Sequence, residues 1–385
     1  MTLAIDLPLQ GPSAPTPVDA ATPYLDLDLN IALDQFAALA AALPRTAIHY
    51  AIKANPHPDL LPALYAAGSR FDVASPAEVA AALQAGARPE DLVYSNPIKR
   101  RTDVHTAYAM GVRLFVVDSP EETAKVAEAA PGAAVLVRLV TSGEGSDWPL
   151  SRKYGCSTPE CIKVLLEADR LGLDAAGVAF HVGSQQRDPQ AWRSPIHAAG
   201  RVFQAVRRAG LTPRLLDLGG GFPALHEGHH PPFTRYGEAI EAALTETFGA
   251  DRPQTLAEPG RGIVGDAGTL VASVVTVLQR GDVRWVYLDA GVYTGLVETL
   301  DEAIRYRLVT SADGGPTGPA VLAGPTCDSA DVLYERTPVQ LPLALTEGDT
   351  VRLLSAGAYT TCYSTVGFNG FAPLATRLVS GLVRS

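Results

Sequence analysis

Residues 49–55, HYAIKAN, form an apolar, β-prone run that carries one lysine, Lys53, near its end. A lysine at the carboxyl end of a buried strand is costly, because lysines are rarely buried without a partner and burial lowers their pKa. A lowered pKa is what an amine nucleophile needs, for example to form a Schiff base. The alternative is a lysine whose stem lies on the strand while its ammonium group reaches water. The rest of the chain has to decide between the two.

A strand–helix unit repeats from about residue 45 onward. The predicted strands are 48–54, 70–74, 92–95, 113–117, 134–140, 176–182, 214–218 and 254–257. Ala/Leu-rich segments of helical spacing lie between them, such as 58–67, 76–86, 120–130, 159–171, 190–209 and 235–248. Three of these segments open with a capping residue before proline, at Ser75, Ser119 and Thr158.

The alternation of strands and helices indicates a parallel sheet with right-handed crossovers. Eight units over about 220 residues match an α/β fold of the TIM type, the (β/α)8 barrel, in number and in length. A doubly wound open sheet is the competing fold. Such a sheet usually has fewer strands and a glycine-rich loop after the first one, whereas the glycine-rich loop here follows the seventh.

The pattern changes after about residue 262, where helix-length segments become rare. The runs 268–279, 284–288, 319–323, 338–345 and 350–354 read as strands, and 292–304 as one short helix. We therefore predict a barrel over residues 28–264 and a mostly-β domain, a β-barrel or sandwich, over residues 265–385. Residues 1–27 are predicted to be an N-terminal arm whose end joins the β domain.

Composition excludes several classes of function. The net charge of −10 argues against a nucleic-acid groove and against binding to an acidic membrane surface. Four cysteines without a CxxC pair predict neither a disulfide framework nor a metal site, and they favour a reduced, cytoplasmic setting. No signal peptide and no membrane-spanning run is recognised in the sequence.

Polar residues recur where the predicted barrel strands end. In a (β/α)8 barrel these ends meet at one rim, which is where active sites are built. The candidate residues on this rim are Lys53, Asn55, Asp72, Glu78, Arg138, His181, Ser184, Asp217, Glu258 and Arg261.

The loop after the seventh strand carries Gly219, Gly220 and Gly221, whose backbone N–H groups can form a concavity for phosphate. Arg261 on the next loop can add a charged fork. An amine nucleophile with a phosphate cradle is what pyridoxal phosphate requires, and Glu258 would then pair with the pyridinium nitrogen. The alternative for the three glycines is a tight turn. The alternatives for Glu258 are a surface carboxylate and an ion-pair partner of Arg261.

Seven motifs give the chain a resemblance to a known family. They are YAIKAN, FDVASPAE, HVGSQ, LDLGGGFP, EPGRGIVGDAG, GPTCDSAD and GAYTTCYSTVGFNGF. In order and spacing, over about residues 25–380, the chain resembles the ornithine/diaminopimelate/arginine decarboxylases, which use pyridoxal phosphate on an alanine-racemase-like barrel.

The resemblance implies a role for each matching residue. Lys53 would hold the cofactor as a Schiff base, Glu258 would meet the ring nitrogen and His181 would stack on the ring. Asp72, Glu78 and Arg138 would shape the cofactor's surroundings. The phosphate would be held by Ser184, Gly220, Gly221, Arg261 and Tyr359.

In this family the site is completed across a twofold homodimer, and Cys327 and Asp328 match the pair that the other subunit delivers. Cys327 would return a proton to the reacting carbon after carbon dioxide leaves, and Asp328 would bind the far end of the substrate. Glu302 lies eleven residues after Gly291, where ornithine decarboxylases place an aspartate for the distal ammonium. Tyr293 and Phe368 complete the expected substrate-binding set.

Carboxylates facing the substrate tail imply a basic diamino acid, since charge pairing in a low-dielectric site is strong. We therefore expect decarboxylation of L-ornithine, L-lysine or both to putrescine and cadaverine. The alternatives are decarboxylation of meso-diaminopimelate, arginine or a carboxylated polyamine, racemisation on the same fold, and a regulatory homologue without catalysis. Residues 141–155 are predicted to be a mobile active-site loop, from their Gly and Ser content.

Overall fold

The fold is described from a computed structural model that covers residues 21–150 and 152–382. Strand β1 (Tyr24–Asp28) and helix α1 (Leu29–Ala42) come first. The next ten strands are β2 (Thr46–Ala51), β3 (Arg70–Val73), β4 (Leu92–Tyr94), β5 (Leu114–Val117), β6 (Ala134–Arg138), β7 (Ser146–Trp148), β8 (Asp174–Ala179), β9 (Ser184–Gln186), β10 (Leu215–Asp217) and β11 (Gln254–Ala257). All except β7 and β9 pair in parallel and close into an eight-stranded barrel in which β11 returns to β2. The predicted (β/α)8 barrel is therefore confirmed.

Helices surround the barrel. They are α2 (Leu60–Ala66), α3 (Pro76–Gln84), α4 (Arg101–Ala109), α5 (Pro120–Ala129), α6 (Thr158–Arg170), α7 (Arg193–Arg208), α8 (Phe233–Phe248) and the single turn α9 (Arg261–Val264). Ser75 and Ser119 accept the backbone N–H groups of the third helical residues, as their sequence context predicts. At α6 the capping residue is Ser157 instead of Thr158, because the Ser157 hydroxyl and Glu160 form a reciprocal capping box. Within the described ranges no helix is long and apolar enough to cross a bilayer.

A second, mostly antiparallel sheet follows the barrel. Its strands after β1 are β12 (Gly268–Arg280), β13 (Val283–Leu288), β14 (Arg307–Thr310), β15 (Thr317–Ala323), β16 (Val332–Leu333), β17 (Val339–Pro342), β18 (Thr350–Leu354) and β19 (Ala375–Val379). Strand β1 lies between β12 and β19, antiparallel to the first and parallel to the second. Arg377 of β19 forks onto Asp26 of β1 at 2.6 and 2.8 Å. The rest of the predicted N-terminal arm, residues 1–20, lies outside the described residues.

The helix predicted at 292–304 is wrong. Residues Val297–Glu302 instead form 3-10 turns that are interrupted at Leu300 and Asp301. Asp301 adopts a φ of +55°, in the left-handed region that non-glycine residues rarely enter. The backbone therefore changes direction here, and the residues before and after the kink point to different parts of the molecule.

The β-rich region reaches the barrel rim through one loop. The amide of Asn55 donates to the carbonyl oxygen of Gly357 at 2.9 Å, and the backbone N–H of Tyr359 donates to Ala54 at 2.8 Å. The thiol of Cys362 donates to the carbonyl oxygen of Lys53 at 3.1 Å. This loop consequently covers the turn that carries Lys53.

Replacing Gly237 of α8 by alanine is expected to lower the free energy of unfolding by about 2 kcal/mol. Helix propensity alone favours alanine by about 1 kcal/mol. A Cβ at residue 237, however, would lie 2.1 Å from the backbone carbonyl oxygen of Ala42, at the end of α1. The clash with backbone outweighs the propensity, and urea unfolding measures the difference.

Gly200→Ala in α7 is the matched control. Its Cβ would meet the methyl group of Thr247, which can rotate away. We expect its stability to stay within about 1 kcal/mol of the parent protein. Equal stability of the two variants would contradict this account of how α1 packs on α8.

Candidate active site

A cavity of about 540 Å³ opens at the carboxyl ends of the barrel strands. Eight of the residues predicted from the sequence line it: Lys53, Arg138, His181, Ser184, Gly221, Glu258, Arg261 and Tyr359. The barrel topology brings these residues together although they are spread over some three hundred positions of sequence.

Lys53 reaches the cavity from a 3-10 turn, Ile52–Ala54, that follows the end of β2 at Ala51. Its ammonium group forms an ion pair with Asp72, at the end of neighbouring β3. Asp72 is fully buried and also accepts from the hydroxyl of Ser95. Asp72 therefore has both carboxylate oxygens engaged and holds Lys53 at the rim.

The expected lowering of the Lys53 pKa is wrong for this arrangement. Burial alone would lower it, but the Asp72 carboxylate outweighs burial and raises the Lys53 pKa above its ordinary value. The side chain is 43% accessible, and that surface belongs to the cavity wall. Lys53 is consequently an ammonium ion while it is paired with Asp72. It becomes a nucleophile only when that proton is removed.

Two further acids, Asp217 and Glu258, lie in contact with each other at the barrel rim. Asp217, at the end of β10, accepts the backbone N–H of Gly219 at 2.8 Å and contacts the carboxyl group of Glu258. Burial raises the pKa of Asp217 to about 7 and that of Glu258 well above its usual range. Two buried carboxyl groups in contact cannot both be ionised at low cost, so the pair retains a proton at neutral pH.

His181 contributes an uncharged ring to the cavity wall. Its Nδ1 accepts the backbone N–H of Gly183 at 3.0 Å, which leaves the proton on Nε2. Burial, with the nearby Arg138 and Lys53, lowers the pKa of His181 well below its ordinary value. The ring is therefore neutral and suited to lie against another ring.

An anion cradle occupies the side of the cavity next to the seventh and eighth strands of the barrel. Gly221 has a φ of +107°, and a Cβ there would lie 2.5 Å from the carbonyl oxygen of Gly183. A Cβ at Gly220 would lie 2.6 Å from the carbonyl oxygen of Glu258. Only glycine allows the three loops to approach this closely.

Arg261 supplies the charge of this cradle and is 3% exposed. Its guanidinium group lies 5.0 Å from the ring centre of Tyr359 and 3.3 Å from the hydroxyl of Ser184. Tyr359 has a φ of +56°, a strained conformation for a tyrosine, which places its ring under Arg261.

Two buried polar atoms test whether pyridoxal phosphate fits this cavity. Arg261 Nη1 and Glu258 Oε1 have no hydrogen-bond partner within the part of the chain that the structure describes. A buried guanidinium nitrogen needs an acceptor such as a phosphate oxygen, and a buried carboxyl oxygen needs a donor such as a protonated ring nitrogen. Together with the Lys53 amine, the residues present fit the cofactor. Over residues 21–150 and 152–382, no cluster of His, Cys, Asp and Glu could hold a metal ion.

A second cluster of predicted site residues lies away from the cavity wall. The rings of Tyr293 and Phe368 are 4.8 Å apart, and the Tyr293 hydroxyl donates to Asp328, which raises the pKa of Tyr293. Cys327 is exposed, and its backbone N–H donates to the side chain of Asn369 at 3.2 Å. These four predicted residues do not line the cavity of their own chain.

Glu302 is not brought to the cavity either. Its carboxylate accepts the backbone N–H groups of Arg336 and Thr337, at 2.7 and 3.1 Å, and pairs with Arg305. These donors lower its pKa although burial opposes them. The structure thus gives Glu302 a role in its own loop, and its contact with substrate stays a prediction.

The cavity has further walls. The segment 141–155, predicted to be a mobile active-site loop, does reach the cavity, where it contributes Trp148, Pro149, Leu150, Arg152, Lys153 and Tyr154. Part of it is regular, however, since strand β7 (Ser146–Trp148) pairs with β9 and Asp147 pairs with Arg187 at 2.6 Å. Glu298 and Tyr363 line the cavity as well. The motif GAYTTCYS could have indicated Tyr363, whereas no sequence signal pointed to Glu298.

The pyridoxal-binding domain of the pyridoxal-dependent decarboxylases matches residues 31–265 of this chain. A lysine/ornithine decarboxylase from Selenomonas ruminantium is 35% identical over 353 residues, which cover 91% of this chain and 88% of the relative.

Two solved structures share the fold over nearly the whole chain. SrLDC in complex with pyridoxal phosphate and cadaverine superposes with a TM-score of 0.85 at 34% identity, covering 94% of this chain and 91% of that one. The arginine decarboxylase of Paramecium bursaria Chlorella virus, bound to agmatine, gives 0.85 at 28% identity, with 94% and 98% covered. The chain belongs to the family of pyridoxal-dependent decarboxylases, and its cofactor is pyridoxal phosphate.

Proposed function

We propose that this enzyme decarboxylates a basic L-amino acid, L-ornithine or L-lysine or both, and releases carbon dioxide with putrescine or cadaverine. The observation that carries the proposal is the convergence of the Lys53 amine, the Glu258 acid and the Arg261 anion site in one cavity. The relatives named lysine/ornithine decarboxylase support the choice of substrate.

The bound cofactor supplies an electron sink for the pair of electrons that is left when carbon dioxide departs. Lys53 would hold the cofactor through its Nζ, and this amine would be the one that the substrate amine replaces. Asp72 stabilises the ammonium form of Lys53 and accepts its hydrogen bond.

Glu258 and Asp217 control the charge at the far end of the cofactor ring. The pair holds a proton at neutral pH, which Glu258 would share with the ring nitrogen of the cofactor. With Glu258 as its partner that nitrogen would stay protonated, and the ring would remain an effective electron sink. His181, being neutral, can lie against the ring without adding charge.

We infer that the functional unit is a homodimer in which Cys327 and Asp328 enter the partner's cavity. Both residues lie outside the cavity of their own chain. An exposed apolar segment adjoins them, with Val366 81% and Phe371 38% accessible, and such a surface favours contact with another chain. Cys327 Sγ would then hold the proton that returns to the reacting carbon, and Asp328 would pair with the distal ammonium group.

A cytoplasmic location is also part of the proposal. All four cysteines lie in the described residues and all are free, including the buried Cys156 and Cys161. Free thiols are typical of reducing compartments.

A kinetic comparison of L-ornithine, L-lysine, L-arginine and meso-diaminopimelate tests the substrate. We expect kcat/KM for ornithine or lysine to exceed that for meso-diaminopimelate by about tenfold or more. The second carboxylate of meso-diaminopimelate would meet Asp328 as a like charge, and a difference of about 1.4 kcal/mol is a factor of ten. A preference for arginine would favour the activity named for the viral relative, and a preference for meso-diaminopimelate would overturn the proposal.

Lys53→Ala should abolish the visible absorbance of the Schiff base, because the variant lacks the amine that we assign to the cofactor. Absorbance spectra after reconstitution with the cofactor measure this loss. Lys153→Ala is the matched control, since Lys153 also lines the cavity, and its absorbance should match that of the parent protein. The reverse pattern would assign the cofactor to Lys153.

Mixing two inactive variants, Lys53→Ala and Cys327→Ala, should restore about a quarter of the parental activity. Half of the dimers formed by random exchange contain one intact site out of two if the site is shared. Mixing Lys53→Ala with Glu258→Ala should restore none, because both residues line the cavity of one chain. Activity in the second mixture, or none in the first, would contradict the shared site.

A further inference from the structure

Glu298 is a buried acid in the cavity wall to which neither the motifs nor the comparisons give a role. It is 4% exposed and lies in the 3-10 turn that precedes the kink at Leu300. Both of its carboxylate oxygens are 2.7 Å from Nη2 of Arg261. Arg261 is the residue that we propose to bind the phosphate of the cofactor, so the inference rests on that proposed role.

A carboxylate beside a phosphate site carries an electrostatic cost. Phosphate is itself anionic, and like charges repel strongly where water is scarce. Burial raises the pKa of Glu298, although the Arg261 guanidinium opposes this rise. If Glu298 favours cofactor binding in spite of this cost, it must do so through its effect on the Arg261 guanidinium group.

The contacts of Arg261 divide its guanidinium group into two parts. Nη2 is occupied by Glu298, and Nε and Nη2 both lie 3.3 Å from the hydroxyl of Ser184. The Tyr359 ring lies against the group at 5.0 Å. Nη1 is buried and finds no acceptor among the described residues. The group is thus fixed in its plane, with the two N–H donors of Nη1 left over.

We propose that Glu298 is a positioning residue for cofactor binding: it holds Nη2 of Arg261, so that Nη1 is presented to the phosphate. A planar guanidinium group that is fixed by a carboxylate loses less conformational freedom when it binds a second anion. The rival account is that Glu298 competes with phosphate for Arg261. The two accounts predict opposite changes in cofactor affinity when Glu298 is removed.

Titrating the apoprotein with pyridoxal phosphate, and in parallel with pyridoxal, separates them. The two ligands share the aldehyde and the ring, and only the first has the phosphate. For Glu298→Ala we expect Kd for pyridoxal phosphate to rise by about tenfold or more, the size that loss of an orienting partner commonly has. Kd for pyridoxal should stay within about twofold, since Lys53 and Glu258 are unchanged.

Glu298→Gln is the conservative variant and keeps an oxygen that can accept from Nη2. We expect its Kd for pyridoxal phosphate within about threefold of the parent value, and this comparison also stands alone if the alanine variant fails to fold. Glu246→Ala, which removes an exposed acid paired with Arg193, should leave both affinities unchanged.

Three results would overturn the inference. Tighter binding of pyridoxal phosphate by either Glu298 variant would show that Glu298 competes with the phosphate. Unchanged binding by Glu298→Ala would show that Arg261 needs no partner. Equal losses for both ligands would show that Glu298 only supports the fold. If the parent protein binds pyridoxal as tightly as pyridoxal phosphate, the result contradicts the proposed phosphate site around Arg261, on which the inference rests.

Discussion

A closed parallel barrel presents the carboxyl ends of all its strands at one rim, and the site depends on this constraint. Backbone hydrogen bonding closes the barrel between β11 and β2, which places the Glu258 loop beside the turn that carries Lys53. Asp72 reaches Lys53 because β3 is the next strand along. The order of the strands alone is enough to bring together side chains that are far apart in sequence.

Several buried charges at this rim are paired within the chain itself. Lys53 pairs with Asp72, Arg261 pairs with Glu298, and the acids Asp217 and Glu258 retain a proton. Leaving any of these charges buried and unpaired would cost several kcal/mol. The cofactor therefore enters a rim on which these charges already have partners, and its affinity depends on how the pairs differ before and after binding.

The sequence was sufficient for those parts of the site that follow from strand order. The ends of the predicted strands led to Lys53, Glu258 and Arg261, because each residue lies within four positions after the end of a barrel strand. The sequence was not sufficient where the pKa or the contacts of a side chain are set by a neighbouring strand or loop. The raised pKa of Lys53 comes from Asp72 on another strand, and burial alone predicts the opposite sign.

Irregular backbone explains most of what could not be predicted. Glu298 meets Arg261 because a 3-10 turn ends in a kink with a positive φ at Asp301, and this pattern has no periodicity that a sequence reveals. The wall at Trp148 likewise depends on a two-stranded ribbon of three residues on each side, which is too short to recognise as strands.

The position of strand β1 has a consequence for the order in which the protein is made. β1 precedes the barrel strands in the sequence, whereas β12 and β19, the two strands with which it pairs, follow them. During synthesis all eight barrel strands leave the ribosome before either partner of β1 exists. Tyr359 and Cys327 also arrive after the barrel strands. A nascent barrel can therefore close, but the complete cofactor pocket forms only after Tyr359, which follows all the barrel strands, has been made.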